Sequence, residues 1–130
     1  MHLSGYRNLL SGLVLVLLES AASVSVAAVE FDHEVAPLLV RHCLECHNGF
    51  DLKGKLDLSQ REAAMKGGKH GSPVVAGKPG ESLLWKKVSE DEMPPDHPLR
   101  QAEKNLLRDW ITEGAKWGAN AELDPFQLTT

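Results

Sequence analysis

Two cysteines are the only ones in the chain, and they fall in a single run, Cys43-Leu44-Glu45-Cys46-His47. This is C-x-x-C-H, the pattern that attaches a c-type haem. Each thiol adds across one haem vinyl group to form a thioether, and the adjacent histidine supplies the proximal imidazole to iron. The spacing has a mechanical reason. On a helical turn, positions i, i+3 and i+4 share a face, so Cys43, Cys46 and His47 point the same way. C-x-x-C also marks thiol redox sites and half zinc sites. Three features favour haem here: an export signal, the absence of further cysteines, and a Met93-Pro94-Pro95 loop downstream.

Met93 is the candidate for the second axial ligand. Its thioether is a soft donor that favours Fe(II), and the two prolines restrict the loop that presents it. The competing reading is a packing methionine. The charges around it, Glu90, Asp91, Glu92 and Asp96, speak against that. Met65 reads as packing. His70 and His97 are alternative ligands in polar loops where histidines are usually solvated. His33 and His42 lie too close to the motif to reach the far face of a haem. A zinc site needs a fourth ligand beyond Cys43, Cys46 and His47, which only His70 or His97 could provide.

These residues need elements to hold them. A first helix is expected over 31–47, capped by Asp32, with Pro37 near its first turn and Asn48-Gly49 ending it. The run Ser59-Gln60-Arg61-Glu62 reads as a capping box opening a short helix to Lys66, stopped by Gly67-Gly68. A third helix is expected over 79–88 and a last one over 101–113, with Leu106, Leu107, Trp110 and Ile111 as its buried stripe. Gly114 then provides the stop.

The 130 residues suit one domain, and a net charge of −4 gives no basic excess for nucleic acid. Mild acidity favours a basic docking surface on a redox partner. Aromatic content is only 5%, so a buried porphyrin would add the apolar mass that the chain lacks. Residues 1–28 read as a secretory signal, with Arg7, an apolar stretch over 9–18 and small residues up to Ala28. Cleavage after Ala27 or Ala28 fits. The alternative is an uncleaved anchor, which Glu19 opposes and which is the only route to a membrane partner. Both readings place the haem domain outside the cytoplasmic membrane, periplasmic or otherwise exported.

The ordered words of the chain resemble the planctomycete-type cytochrome c domain. They are Phe31-x3-Val35-x-Pro37-Leu38-Leu39, Cys43-x2-Cys46-His47, Lys53-Gly54-x-Leu56-x-Leu58, Gly67-Gly68, Gly77-Lys78-Pro79-x2-Ser82-x-Leu84, Met93-Pro94-Pro95 and Trp110-Ile111-x2-Gly114-Ala115-x-Trp117. Arg100 departs from the Ser/Thr cap usual before the last helix. The resemblance implies an all-α, class I-like cytochrome c fold: about four short helices and long Gly/Pro-rich loops wrapped around one covalent haem. It implies a domain over 29–117 and a C-terminal tail over 118–130. The site is then Cys43 and Cys46 on haem c, with His47 and Met93 on its iron. The implied function is electron transfer to a redox partner protein rather than catalysis. The alternatives are a haem-based ligand sensor and an accessory redox domain of a larger exported enzyme. For the proton on the His47 ring, small cytochromes c suggest a backbone carbonyl from the loop around Gly71-Ser72-Pro73.

Overall fold

The computed structural model describes residues 27–119 and 122–126, together with Met1. The signal segment expected over 1–28 falls almost wholly outside them. The described residues hold four α-helices and no β-strand: α1 Ala36–His42, α2 Arg61–Lys66, α3 Leu83–Ser89 and α4 Gln101–Thr112. None is long and apolar enough to cross a membrane.

The first helix is shorter than its sequence suggests and irregular at its start. Phe31–Val35 forms a π-turn, closed by the Ala36 N–H on the Phe31 carbonyl. Pro37 is the reason. It has no N–H to give to His33, and its ring crowds the carbonyl four residues back, so the preceding turn widens. Asp32 does not cap this helix; its carboxylate accepts the Ala119 N–H at 3.3 Å. Regular helix ends at His42, not at His47.

α4 follows the sequence closely. Leu107, Trp110 and Ile111 are buried, and Leu106 packs against them. At its start Arg100 replaces a Ser/Thr cap by another route: the Glu103 carboxylate accepts the Arg100 backbone N–H and its guanidinium, both at 2.9 Å. This pair and the nearby His42 hold the Glu103 carboxyl down at about 2, the hydrogen bond from Arg100 being the largest influence. Gly114, at φ 103°, ends the helix. Trp110 packs on Phe31 with ring centroids 5.7 Å apart, and Trp117 covers Phe31 at 4.5 Å. Such aromatic pairs add about 0.5–1.5 kcal/mol each beyond their buried area. This cluster clamps the two ends of the domain together.

Two helix starts differ from expectation. Ser59 does not cap α2, because its backbone N–H and hydroxyl both bond the Asp57 carboxylate, at 2.8 and 2.6 Å. The expected helix over 79–88 is split at Ser82 into a 3-10 turn, Pro79–Glu81, and α3. Ser82 is fully buried; its hydroxyl accepts the Val75 N–H and lies 2.9 Å from the Lys78 carbonyl. Those bonds tie α3 to the preceding loop at the cost of helix continuity.

Among residues 122–126, Leu123 packs back on the rest of the described chain. The Leu123 N–H reaches the Ser59 carbonyl at 2.6 Å, and the Leu123 side chain is buried.

Candidate functional site

After His42 the chain makes one further turn. The Cys43 N–H bonds the Leu39 carbonyl at 2.9 Å, and the His47 N–H bonds the Cys43 carbonyl at 3.0 Å. A single turn is enough to keep positions i, i+3 and i+4 together. Cys43, Cys46 and His47 accordingly line one cavity. The turn ends through a side chain rather than a left-handed residue. Asn48 donates Nδ2–H to the Leu44 carbonyl, and its Oδ1 accepts the Phe50 and Asp51 N–H groups at 2.7 and 2.9 Å.

The cavity holds about 470 Å³, within the roughly 300–1,000 Å³ of cofactor pockets. Leu56, Leu58, Leu84, Val88 and Pro73 supply apolar wall. Met93, Pro94 and Pro95 line the same space. Their loop is anchored where it leaves α3: the Glu92 and Met93 N–H groups both bond the Lys87 carbonyl, at 2.9 and 3.1 Å, and Lys87 pairs with Glu92. Met93 is 40% exposed, whereas Met65 packs against the core away from the cavity.

The His47 ring is held by the Lys53 carbonyl, 2.9 Å from Nδ1. This corrects the expectation that the loop around Gly71-Ser72-Pro73 would do so. The Pro73 carbonyl is already taken by the Leu84 N–H at 2.9 Å. The 48–53 turn instead folds back, with the Lys53 N–H on the Cys46 carbonyl at 3.1 Å, which delivers the next carbonyl to the ring. A ring that donates from Nδ1 keeps the lone pair of Nε2 for a metal, and such partners fix the tautomer of metal-bound histidines.

Gly67 and Gly68 secure that turn from behind. Gly67, at φ 79°, ends α2. A Cβ at Gly68 would stand 2.6 Å from the Gly54 carbonyl oxygen, so only glycine allows this approach.

Burial pushes the Cys43 thiol up to about 12, with Cys46 adding a smaller effect. It stays protonated at neutral pH, the form whose S–H is consumed when a thioether is made. Cys46 is less buried, and the Lys53 ammonium lies 3.4 Å from its sulfur.

His70 and His97, expected as solvated loop residues, both line the cavity, though both are exposed at its margin. His42, set aside as too near the motif, also reaches it; its Nε2 is buried without a hydrogen-bond partner and 3.5 Å from Glu103. Among the described residues, no three His, Cys, Asp or Glu side chains converge as a metal cage would need. Trp110 gives its indole N–H to the Lys116 carbonyl at 2.8 Å, consistent with packing rather than contact with a cofactor.

The donor set, the cavity volume and its apolar walls fit a haem. The family model for Planctomycete cytochrome C matches residues 43–97. Over those residues the chain is similar to planctomycete-type cytochrome c domains. No curated protein and no solved structure matches the chain. Cytochrome c domains carry electrons on a haem, and the matched segment begins at Cys43 and ends at His97. It therefore contains Cys43, Cys46, His47 and Met93, while α4 and the aromatic clamp lie outside it.

Proposed function

We propose that the chain is an exported monohaem c-type cytochrome that carries electrons. Cys43 and Cys46 hold one haem c through thioethers, His47 binds its iron through Nε2, and Met93 binds through sulfur. The haem supplies a one-electron couple at iron. The chain's residues tune it: the Lys53 carbonyl fixes His47, the thioether of Met93 favours the reduced state, and apolar walls exclude water. With His47 and Met93 both bound to it, the iron would keep no open place for a substrate. The four short helices wrap the haem in a class I-like manner. Residues 1–28 direct export and are removed, 29–117 form the haem domain, and 118–130 are its tail.

One observation carries this reading. Cys43, Cys46, His47 and Met93 face a single cavity, with His47 bonded through Nδ1 to a backbone carbonyl. The test is an absorption spectrum of protein matured with haem-attachment machinery. A reduced low-spin c-type spectrum that survives acid–acetone extraction is expected, with a weak Met–Fe(III) charge-transfer band. Release of all haem into the acidified solvent would refute covalent attachment.

A sensing role has its own support. Met93 is partly exposed, and His70 and His97 border the same cavity. On that reading the reduced wild type binds CO readily; as an electron carrier, it does not. An accessory role beside an exported enzyme shares the electron-carrier chemistry and differs only in the partner.

A further inference from the structure

Phe50 and Phe126 are 87% and 76% exposed, yet neither is a loose end. Their rings lie 6.4 Å apart, brought together from distant parts of the chain. Phe50 sits on the turn that follows C-x-x-C-H, fixed by the buried Asn48, which bonds both the Leu44 carbonyl and the Phe50 N–H. Phe126 is held by the Leu123 N–H on the Ser59 carbonyl and by its own N–H on the Asp124 carboxylate at 2.8 Å. Burying an aromatic ring is worth about 1.5–3 kcal/mol, which this fold forgoes twice at one spot. Leu52, 48% exposed, extends the patch.

The surroundings are acidic. Asp51 adjoins Phe50, Asp124 binds the Phe126 backbone, Glu122 bridges to Gln60, and Asp57 lies under the Gly49 backbone. Among the described residues none of these four carboxylates is in an ion pair. The cations of the adjoining turn are Lys53 and Lys55. The Lys53 ammonium lies against Cys46 and also feels the charge of Asp51, which leaves Glu122, Asp124 and Asp57, among the described residues, without a nearby cation in an ion pair. An apolar centre with an unpaired carboxylate rim complements an apolar centre with a lysine or arginine rim.

We propose that Phe50, Leu52 and Phe126 form the docking face for a redox partner protein whose own face is apolar and ringed by basic side chains. The proposal rests on the electron-carrier reading above. Phe50 lies three residues from His47, on the turn whose Lys53 carbonyl holds the His47 ring. A partner seated there is close to the iron ligand. The exchange moves one electron: Fe(II) here becomes Fe(III), the partner's acceptor is reduced by one, and no bond is made or broken. The carboxylates steer the encounter and the rings hold it.

The test uses the full-length haem-loaded protein, reduced, in stopped flow. A lysine-rich cytochrome c of higher potential serves as protein acceptor, and ferricyanide as small acceptor. With the protein acceptor, the second-order rate should fall roughly tenfold in Phe50→Ser/Phe126→Ser and stay unchanged with ferricyanide. Asp51→Asn/Asp124→Asn should also slow the protein reaction and flatten its decline with salt. Wild-type rates in the aromatic variant, or equal slowing with both acceptors, would overturn the proposal. So would a concentration-dependent dimer that the aromatic variant abolishes, because a second copy would then own the face. Failure of the underlying haem reading is separately visible, as a missing covalent c-type spectrum before any rate is measured.

Discussion

Withholding the haem should leave the chain without a stable fold. The cavity that Cys43, Cys46, His47 and Met93 line is about 470 Å³. At about 24 cal/mol per Å³ of unfilled space, leaving it dry costs about 11 kcal/mol. A whole domain is stable by only roughly 5–15 kcal/mol. The mouth is open to solvent, so water fills part of the space and lowers that cost. Even half of it, about 5–6 kcal/mol, equals the whole stability of a domain at the lower end of that range. What remains is four helices of six to twelve residues and the clamp of Phe31, Trp110 and Trp117. Such helices are too short to persist alone. The assay compares far-ultraviolet circular dichroism and thermal unfolding of two preparations, one made in the cytoplasm without haem attachment and one matured. The haem-free chain should show weak helix content and no cooperative transition, and the loaded chain a sharp one. A haem-free chain that melts cooperatively at a similar midpoint would refute the reasoning, because the cavity would then cost the fold nothing.

Met93→Ala should lower the potential by more than roughly 60 mV, which is a tenfold loss in preference for Fe(II), and should open the iron to CO; redox titration and CO difference spectra read both. Met65→Leu should do neither, and a change with Met65 but not Met93 would move the ligand assignment. Glu103→Gln should cost about 1 kcal/mol at pH 7, because the exposed Arg100 is well screened. The Glu103 carboxyl is depressed in the fold, so its contribution is full above the ordinary carboxyl range and is lost as pH falls from about 4.5 toward 2; urea titrations of wild type and variant should converge over that window. Gly68→Ala should cost roughly 1–3 kcal/mol, seen as a lower melting temperature of the loaded protein, because the new methyl group drives the Gly54 carbonyl away and with it the turn that holds His47.

Much of the site was legible because it is local. C-x-x-C-H needs only one turn of chain to gather its three side chains, and it did so even though the helix stops at His42. The stripe of α4 and its stop at Gly114 follow from spacing and from the freedom of glycine. The errors arose where two side chains or two carbonyls competed for one partner. Ser59 had Asp57 closer than the start of α2. Ser82 found backbone partners in the preceding loop and broke a helix that looked continuous. The clearest case is the acceptor for the His47 ring. A carbonyl carries no side-chain signature, so sequence cannot tell Lys53 from Pro73. What decided it was the 48–53 turn folding back on Cys46, which carries the Lys53 carbonyl to the ring.

The boundary of the family match carries a further implication. It runs from Cys43 to His97 and encloses every residue proposed to hold the haem, along with both loops that border the cavity. The clamp lies outside it: Phe31 before the match, Trp110 and Trp117 after it. The two parts have different physical demands. On the proposed reading this segment must place sulfur, nitrogen and specific backbone turns at a haem, so residue identity would matter at Cys43, Cys46, His47, Gly68 and Met93. The clamp buries apolar area between residues 31 and 117, and its Phe31, Trp110 and Trp117 are among the residues that carry the resemblance. α4 is held by more than the clamp: the Gly77 N–H bonds the Ile111 carbonyl at 2.7 Å, and Lys104 pairs with Asp91 beyond α3.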